Sequence, residues 1–503
     1  MRIRIVGAGA MGRGIAQWAA SAGHTVELGD VRTEAVREAV DFVRSMLDRA
    51  VAKDRMSAED SAAAVARLVP LDDPWAPGPD VELVVEAVRE DLDTKAEVFG
   101  RLAQVLPAST VFATNTSSLS VTRIAATLDD PSRLAGLHFF NPVPLMRIVE
   151  VVPGAATRPE IPAALTELVE GCGHRAVTVS DTPGFLVNHA GRGLVTEALA
   201  LLEESVARPV DIDRIARDVL GLRMGPFELM DLTGLDVTAA VIDSIWQGFR
   251  HEPRLRPSYL TPNRVAAGLH GRKTGQGWYA YGPEAEDAVE EPVTGDADRA
   301  VHVPGDGADA RALREALTAA GARVRDDLSP EAVVLVPVWG TSVADAVAGQ
   351  GLPAARTFGV DPLSLAGGRR VLSVTPAADP AAARDARAVL ARADRAVTLV
   401  RDTAGSVAQR LLASVVSVAA SIAERSLATP ADIDLAVTLG LGYPVGPLAW
   451  GDRIGAARLL ELQRALHTTT GDPRYRPTRW VAERAALGLP LTAAGTSPED
   501  CAG

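Results

Sequence analysis

Residues 2–30 run Arg2-Ile-Arg-Ile-Val6, then Gly7-Ala8-Gly9-Ala10-Met11-Gly12. A helical stretch from Arg13 to Ala22 follows, then Gly23, His24-Thr-Val-Glu-Leu28 and Asp30. The order is strand, glycine turn, helix, strand, acid, which is the dinucleotide-binding fingerprint in full context. Gly7 permits a tight turn, Gly9 lets the backbone approach a pyrophosphate, and Gly12 allows close helix–strand packing. The helix N-terminus presents amides and a positive dipole end to that anion. Asp30 follows Gly12 by 18 residues, in the place that accepts hydrogen bonds from a ribose 2′-hydroxyl. Its charge would repel a 2′-phosphate, so the expected cofactor is NAD rather than NADP.

Moving outward, residues 34–69 read as two helices with Arg49, Lys53 and Arg55 between them. Lys53 taken alone is an ordinary solvated side chain. The strand Val81–Glu86, Glu90, a helix holding Lys95 and the strand Thr110–Ala113 come next, closed by Asn115-Thr-Ser117-Ser118. Ligands of open parallel sheets bind beyond the C-terminal strand ends, so these small hydroxyls either face a substrate or cap a helix. Gly136-Leu-His138-Phe-Phe-Asn141-Pro142 then leads through Pro144 to a second apolar run carrying Glu150. Both prolines favour a turn between two strands, an arrangement that sets His138 beside Glu150. An imidazole held by a carboxylate is a general base of fixed tautomer, although a lone histidine is more often a core residue.

After Asp181-Thr-Pro-Gly-Phe185 and Asn188 the pattern turns helical, with one long helix expected to about Glu204 and a cap for the next at Asp211-Ile-Asp213. The Gly-, Pro- and acid-rich stretch from 283 to 300 reads as a linker. Beyond it lies a partial repeat. Asp402, Asp432, Gly446 and Asp452 each stand 221 residues after Asp181, Asp211, Gly225 and Asp231. A constant offset over such a length indicates duplication of the helical domain. Gln409 then replaces Asn188, and Arg410 replaces His189. Residues 301–400 read as a shortened α/β unit whose turn, Gly305-Asp306-Gly307, puts a carboxylate where a pyrophosphate would sit. Arg369–Pro376 occupies the expected place of the His138 stretch, without a histidine. The expected fold is therefore α/β plus all-α. A Rossmann domain (1–183) precedes a helical domain (184–282), the linker (283–300), a degenerate Rossmann-like unit (301–400) and a second helical domain (401–490).

The net charge of −13 argues against nucleic acid and anionic membrane as partners. Cys172 and Cys501 show neither disulfide nor metal spacing, so no metal is expected and a reducing cytoplasm fits. The chain opens directly on a strand pattern with no signal peptide, and no apolar stretch reads as a membrane span.

Together these motifs resemble the L-3-hydroxyacyl-CoA dehydrogenase family. The glycine loop, Asn115–Ser118, Gly136–Pro142, Asp181–Phe185 with Asn188, Gly225-Pro-Phe-Glu228 and Lys273-Thr-Gly275 all fit. The repeat, Tyr443–Gly451 and Arg474–Pro477 resemble the long bacterial subgroup, which includes enzymes of 3-hydroxyadipyl-CoA oxidation in phenylacetate degradation. The resemblance implies an oxidoreductase that converts (S)-3-hydroxyacyl-CoA to 3-ketoacyl-CoA with NAD, in fatty acid or phenylacetate catabolism. It implies His138 as base, Glu150 as its partner, and Ser117 and Asn188 as substrate contacts that order the site. It assigns NAD contacts to Gly7–Gly12, Asp30, Glu90, Lys95, Ser117, Asn141 and Lys273, and acyl-CoA contacts to Ser45 and Lys53. His189 departs from the family's usual arginine. The helical domain of short family members forms a two-fold dimer, so residues 401–490 are expected to pack on 184–282 as an intramolecular pseudo-dimer, with homo-oligomers a further option. Two rivals are a dehydrogenase of free hydroxy acids or sugar acids on this scaffold, and a non-enzymatic NAD-binding protein.

Overall fold

A computed structural model of the chain describes residues 1–282 and 289–502. Residues 283–288 of the expected linker lie outside the described residues. The chain packs as two compact units: Met1–His189 with Ser426–Leu441, and Ala190–Arg425 with the chain from Gly442 onward.

The first unit is built on an eight-stranded sheet. Its strands are β1 (Arg2–Val6), β2 (Thr25–Gly29), β3 (Leu68–Pro70), β4 (Leu83–Glu86), β5 (Val111–Thr114), β6 (Leu134–Phe139), β7 (Ile148–Pro153) and β8 (Arg175–Thr178). The order is β3-β2-β1-β4-β5-β6-β7-β8. All pairings are parallel except β6 with β7. In β1, Arg4 is buried in an ion pair with Glu27. Ile3, Ile5 and Val6 of β1 and Leu83, Val84 and Val85 of β4 are buried apolar positions, because helices cover both faces of such a sheet. Ile3, Ile5, Val26, Leu28 and Val85 form its buried centre with Ile15 and Trp18 of the helix Ala10–Ser21. The glycine turn depends on close approach. Gly7 has φ +107°, and a Cβ on Gly12 would lie 1.7 Å from the Gly7 carbonyl oxygen.

The first compact unit runs to His189 and takes in residues 426–441. Ser180 N donates to the Leu427 carbonyl at 3.0 Å, and a Cβ on Gly440 would lie 2.9 Å from the Val187 side chain. The expected long helix is broken into Val187–Ala190 and Arg192–Glu203. Asp211 and Asp213 lie inside the helix Pro209–Asp218 instead of capping it. Asp213 caps the following helix, Pro226–Thr233, by accepting from Phe227 N and Glu228 N at 2.9 and 3.0 Å.

In the second unit the helix Arg192–Glu203 packs on Val407–Glu424. A Cβ on Gly193 would lie 2.9 Å from the backbone of Ser414 and Val415, and Ser414 is the residue 221 positions after Gly193. Val407–Glu424 is long and apolar enough to cross a membrane, contrary to the sequence expectation, but it is 89% buried as a core helix.

The second sheet has six strands: β9 (Val301–His302), β10 (Val324–Arg325), β11 (Val333–Pro337), β12 (Thr357–Val360), β13 (Arg369–Val374) and β14 (Ala396–Arg401), ordered β10-β9-β11-β12-β13-β14. Only β12–β13 is antiparallel. Asp402 accepts from Val343 N and Ala344 N at the start of the helix Val343–Gln350, as Asp181 accepts from Val121 N and Thr122 N at the start of Val121–Ala125. Gly359 stands opposite Ser373 as Gly136 stands opposite Val152. This register makes β12 the counterpart of β6 and β13 that of β7. It corrects the expectation that Arg369–Pro376 replaces the histidine stretch: the residue at the His138 position is Asp361, and Val371 stands at that of Glu150.

Candidate active site

The β6–β7 hairpin places His138 directly opposite Glu150, with both side chains on the same face. His138 Nδ1 lies 2.6 Å from Glu150 Oε2. Both residues are buried, His138 to 5% exposure and Glu150 completely. The second carboxylate oxygen, Oε1, accepts from Leu186 N at 2.9 Å and Val187 N at 2.7 Å. Two amides and an imidazole therefore share one carboxylate. With Nδ1 turned to the carboxylate, Nε2 is the ring nitrogen left to face a substrate. The rings of Phe140 and Phe185 stand 4.5 and 5.6 Å from the imidazole, centre to centre. The Leu186 and Val187 amides carry no sequence signal, since backbone donors are independent of residue type.

The neighbouring strand end supplies the hydroxyl loop. Asn115 N donates to the Glu86 carbonyl, and Asn115 Oδ1 accepts from Phe139 N at 2.9 Å, tying β5 to the residue after His138. Glu90 gathers the rest. It accepts from Thr116 Oγ1 at 2.7 Å, from Ser117 N and Ser118 N at 2.8 Å each, and from Ser118 Oγ at 3.0 Å. Burial alone would raise the Glu90 carboxyl, but these hydrogen bonds and Lys95 outweigh it and lower it to about 2. Lys95 is 1% exposed and its Nζ lies 2.7 Å from Glu86 and 3.3 Å from Glu90. Burial pushes the Glu86 carboxyl up, against the opposing pull of Lys95 and Thr114. Glu86 and its link to Lys95 had no motif to announce them.

The glycine loop fits a dinucleotide. The helix Ala10–Ser21 has no side-chain cap at Gly9 and no acid in its first turn, which leaves its N-terminus suited to an anion. A Cβ on Gly7 would collide with the Ala87 carbonyl, 2.5 Å away. Asp30 directly follows β2 and accepts from Ala8 N and Arg32 N, both at 2.9 Å. That places its carboxylate beside the loop formed by Ala8, Gly9, Ala10, Met11 and Gly12.

The two halves of the chain match one family pattern. Residues 2–182 match the NAD-binding domain of 3-hydroxyacyl-CoA dehydrogenase. Residues 184–281 and 405–496 both match that family's C-terminal domain. The chain belongs to the 3-hydroxyacyl-CoA dehydrogenase family. Its membership makes it an NAD-dependent oxidoreductase. Among its relatives is the 3-hydroxyadipyl-CoA dehydrogenase of Escherichia coli K12, 37% identical over 96% of this chain and 97% of that protein. The pig mitochondrial hydroxyacyl-coenzyme A dehydrogenase is 38% identical over 56% of this chain and 90% of its own length. A crystal structure of the 3-hydroxybutyryl-CoA dehydrogenase of E. coli K12 superposes with a TM-score of 0.86 at 36% identity, covering 97% of this chain and 98% of that one.

The remaining family positions are scattered. Asn141 is exposed at the cis Asn141–Pro142 peptide after β6, and Asn188 lies on the short helix Val187–Ala190. Ser45 is exposed on the helix Thr33–Val51, and Lys53 is exposed just beyond it. Lys273 belongs to the second unit, where it pairs with Asp236 at 2.6 Å. In the second sheet the His138 position holds Asp361, fully buried, with Oδ1 accepting from Gln409 Nε2 and Leu363 N at 2.9 Å each. Gln409 also donates to the Val338 carbonyl and accepts from Gly340 N, both at 2.8 Å. Asp361 Oδ1 and the Gln409 amide are thus occupied with one another and the backbone, and among these described residues no base faces a carboxylate.

Proposed function

We propose that this enzyme oxidises the C3 hydroxyl of an (S)-3-hydroxyacyl-CoA to the 3-ketoacyl-CoA, reversibly, with His138 as the base. The observation that carries this reading is the clamped carboxylate. Glu150 is fixed on one side by two amides and on the other by Nδ1, so the ring can turn only its Nε2 lone pair to a substrate. NAD bound at the glycine loop supplies the hydride acceptor. His138 takes the hydroxyl proton, and Glu150 favours the imidazolium that results. Ser117 and Asn188 orient the oxygen at C3. Asp30 holds the adenosine ribose, and Glu90, Lys95, Asn141 and Lys273 serve the cofactor; Ser45 and Lys53 serve the CoA moiety.

The substrate is of the 3-hydroxybutyryl-CoA or the 3-hydroxyadipyl-CoA type, since proteins matched end to end carry each of these names. The reading places the enzyme in the cytoplasm, in the degradation of fatty acids or phenylacetate. The two helical repeats act as an intramolecular pseudo-dimer, a reading supported by Gly193 meeting its own repeat counterpart Ser414.

The test is NADH oxidation with acetoacetyl-CoA and 3-oxoadipyl-CoA, with NADPH as control. His138→Ala is expected to lower kcat by about 10²–10⁴-fold. Near-normal turnover by a folded His138→Ala enzyme would remove the base assignment, and a preference for acetoacetyl-CoA would remove the dicarboxylic substrate.

A further inference from the structure

We propose that Glu86 is a positioning residue for the reaction, acting on Ser117 through Lys95 and Glu90. The proposal rests on the reading of Ser117 as a substrate contact.

The chain of contacts is continuous. Glu86 is fully buried at the C-terminal end of β4, and three donors hold its carboxylate: Val88 N, Thr114 Oγ1 and Lys95 Nζ, each at 2.7 Å. Lys95 is pinned by that bond and reaches Glu90 at 3.3 Å. Glu90 Oε1 then receives the Ser117 and Ser118 amides and the Thr116 hydroxyl. A side chain at 116–118 inherits its position from a carboxylate that reaches neither solvent nor substrate. The buried Glu86–Lys95 ion pair is a costly way to hold a loop, and apolar residues of the same volume would commonly be as stable. Its retention calls for a reason beyond stability.

The second sheet supplies an internal comparison. It keeps the helix cap at Asp402, the close strand packing at Gly359 and the antiparallel β12–β13 pair. It has lost a base opposite a carboxylate. It has also lost the strand and helix that carry Glu86, Glu90 and Lys95. β9 pairs directly with β11, and only residues 326–332 join β10 to β11, with no strand or helix among them. The fold therefore persists without this module where the catalytic pair is gone.

Steady-state kinetics with NADH and acetoacetyl-CoA on Glu86→Gln, Ser117→Ala and the double variant test this. Glutamine keeps the volume and an acceptor but removes the charge that pins Lys95. Glu86→Gln is expected to lower kcat by about 10–10²-fold, the scale of a misplaced reacting group, with the thioester KM little changed. If Glu86 acts through Ser117, the double variant will be no slower than Ser117→Ala alone. Wild-type turnover by Glu86→Gln, or losses that multiply in the double variant, would overturn the proposal. Should Glu86→Gln fail to fold, Glu86→Gln with Lys95→Met removes both charges and is compared with Ser117→Ala in the same way. A failure of the underlying reading shows separately, as wild-type activity of Ser117→Ala with Glu86 intact.

Discussion

Single side chains do much of their work here through shared carboxylates. Glu150 and Glu90 each bind several donors, one beside the imidazole and one beneath the hydroxyl loop. For Glu90 the hydrogen bonds and Lys95 lower the folded carboxyl to about 2 from an ordinary 4.5. A carboxyl lowered by folding contributes stability above its unfolded value and loses that contribution as pH falls through its folded value. The stability gap between the wild type and Glu90→Gln, read from urea midpoints, should therefore be constant above about pH 5 and shrink as pH falls from 4.5 towards about 2. A gap that widens with acid would reverse the assignment. At this scale His138, Glu150 and Ser117 were visible in the sequence because side-chain chemistry is written there. Glu86 was not, because its importance comes from what surrounds it.

Elements are joined by acids at helix starts. Asp181, Asp213 and Asp402 each accept two backbone amides at the first turn of a helix distant in sequence. Asp213 also accepts from the Tyr279 hydroxyl at 2.7 Å, and Gly225 leaves room for it: a Cβ there would lie 2.2 Å from Asp213 Cγ. Gly225→Ala should push the acid off the helix Pro226–Thr233 and destabilise the enzyme by about 1–3 kcal/mol in chemical denaturation. An unchanged midpoint would show that the cap is dispensable. The Asp-Ile-Asp motif was legible as a cap, but its target was misassigned. A capping pattern shows an acceptor, whereas only the packed chain shows which amides reach it.

For the whole molecule, the duplication has become asymmetric. Arg410 is buried in the second unit and binds Glu197 Oε1 at 2.7 Å and Glu204. Glu197 also accepts from the Tyr475 hydroxyl at 2.7 Å. The positions related to Arg410 and Glu197 by the 221-residue offset carry His189 and Val418, which cannot repeat that ion pair. Arg410→Met leaves Glu197 short of its strongest partner in a dry site, and should cost about 3–5 kcal/mol by denaturation. Arg410→Met with Glu197→Leu should recover most of that loss; no recovery would mean that Arg410 stabilises by packing alone. A chain ending near residue 290 should expose the face of Arg192–Glu203 that Val407–Glu424 covers, and should dimerise or aggregate on sizing. A stable monomer of that length would speak against the pseudo-dimer.

The sequence alone determined the Rossmann strand-turn-helix, the NAD preference suggested by Asp30, the His138–Glu150 candidates and the 221-residue repeat. All of these rest on local periodicity or on spacing along the chain, which survive without coordinates. Only the tertiary structure decided that 426–441 packs with the first unit, that Asp361 stands at the His138 position of the second sheet, and that Glu86 lies beneath the hydroxyl loop. Each of those facts depends on strand register or on long-range packing. A shift of strand register changes which residues face each other without changing the sequence pattern that announces the strand.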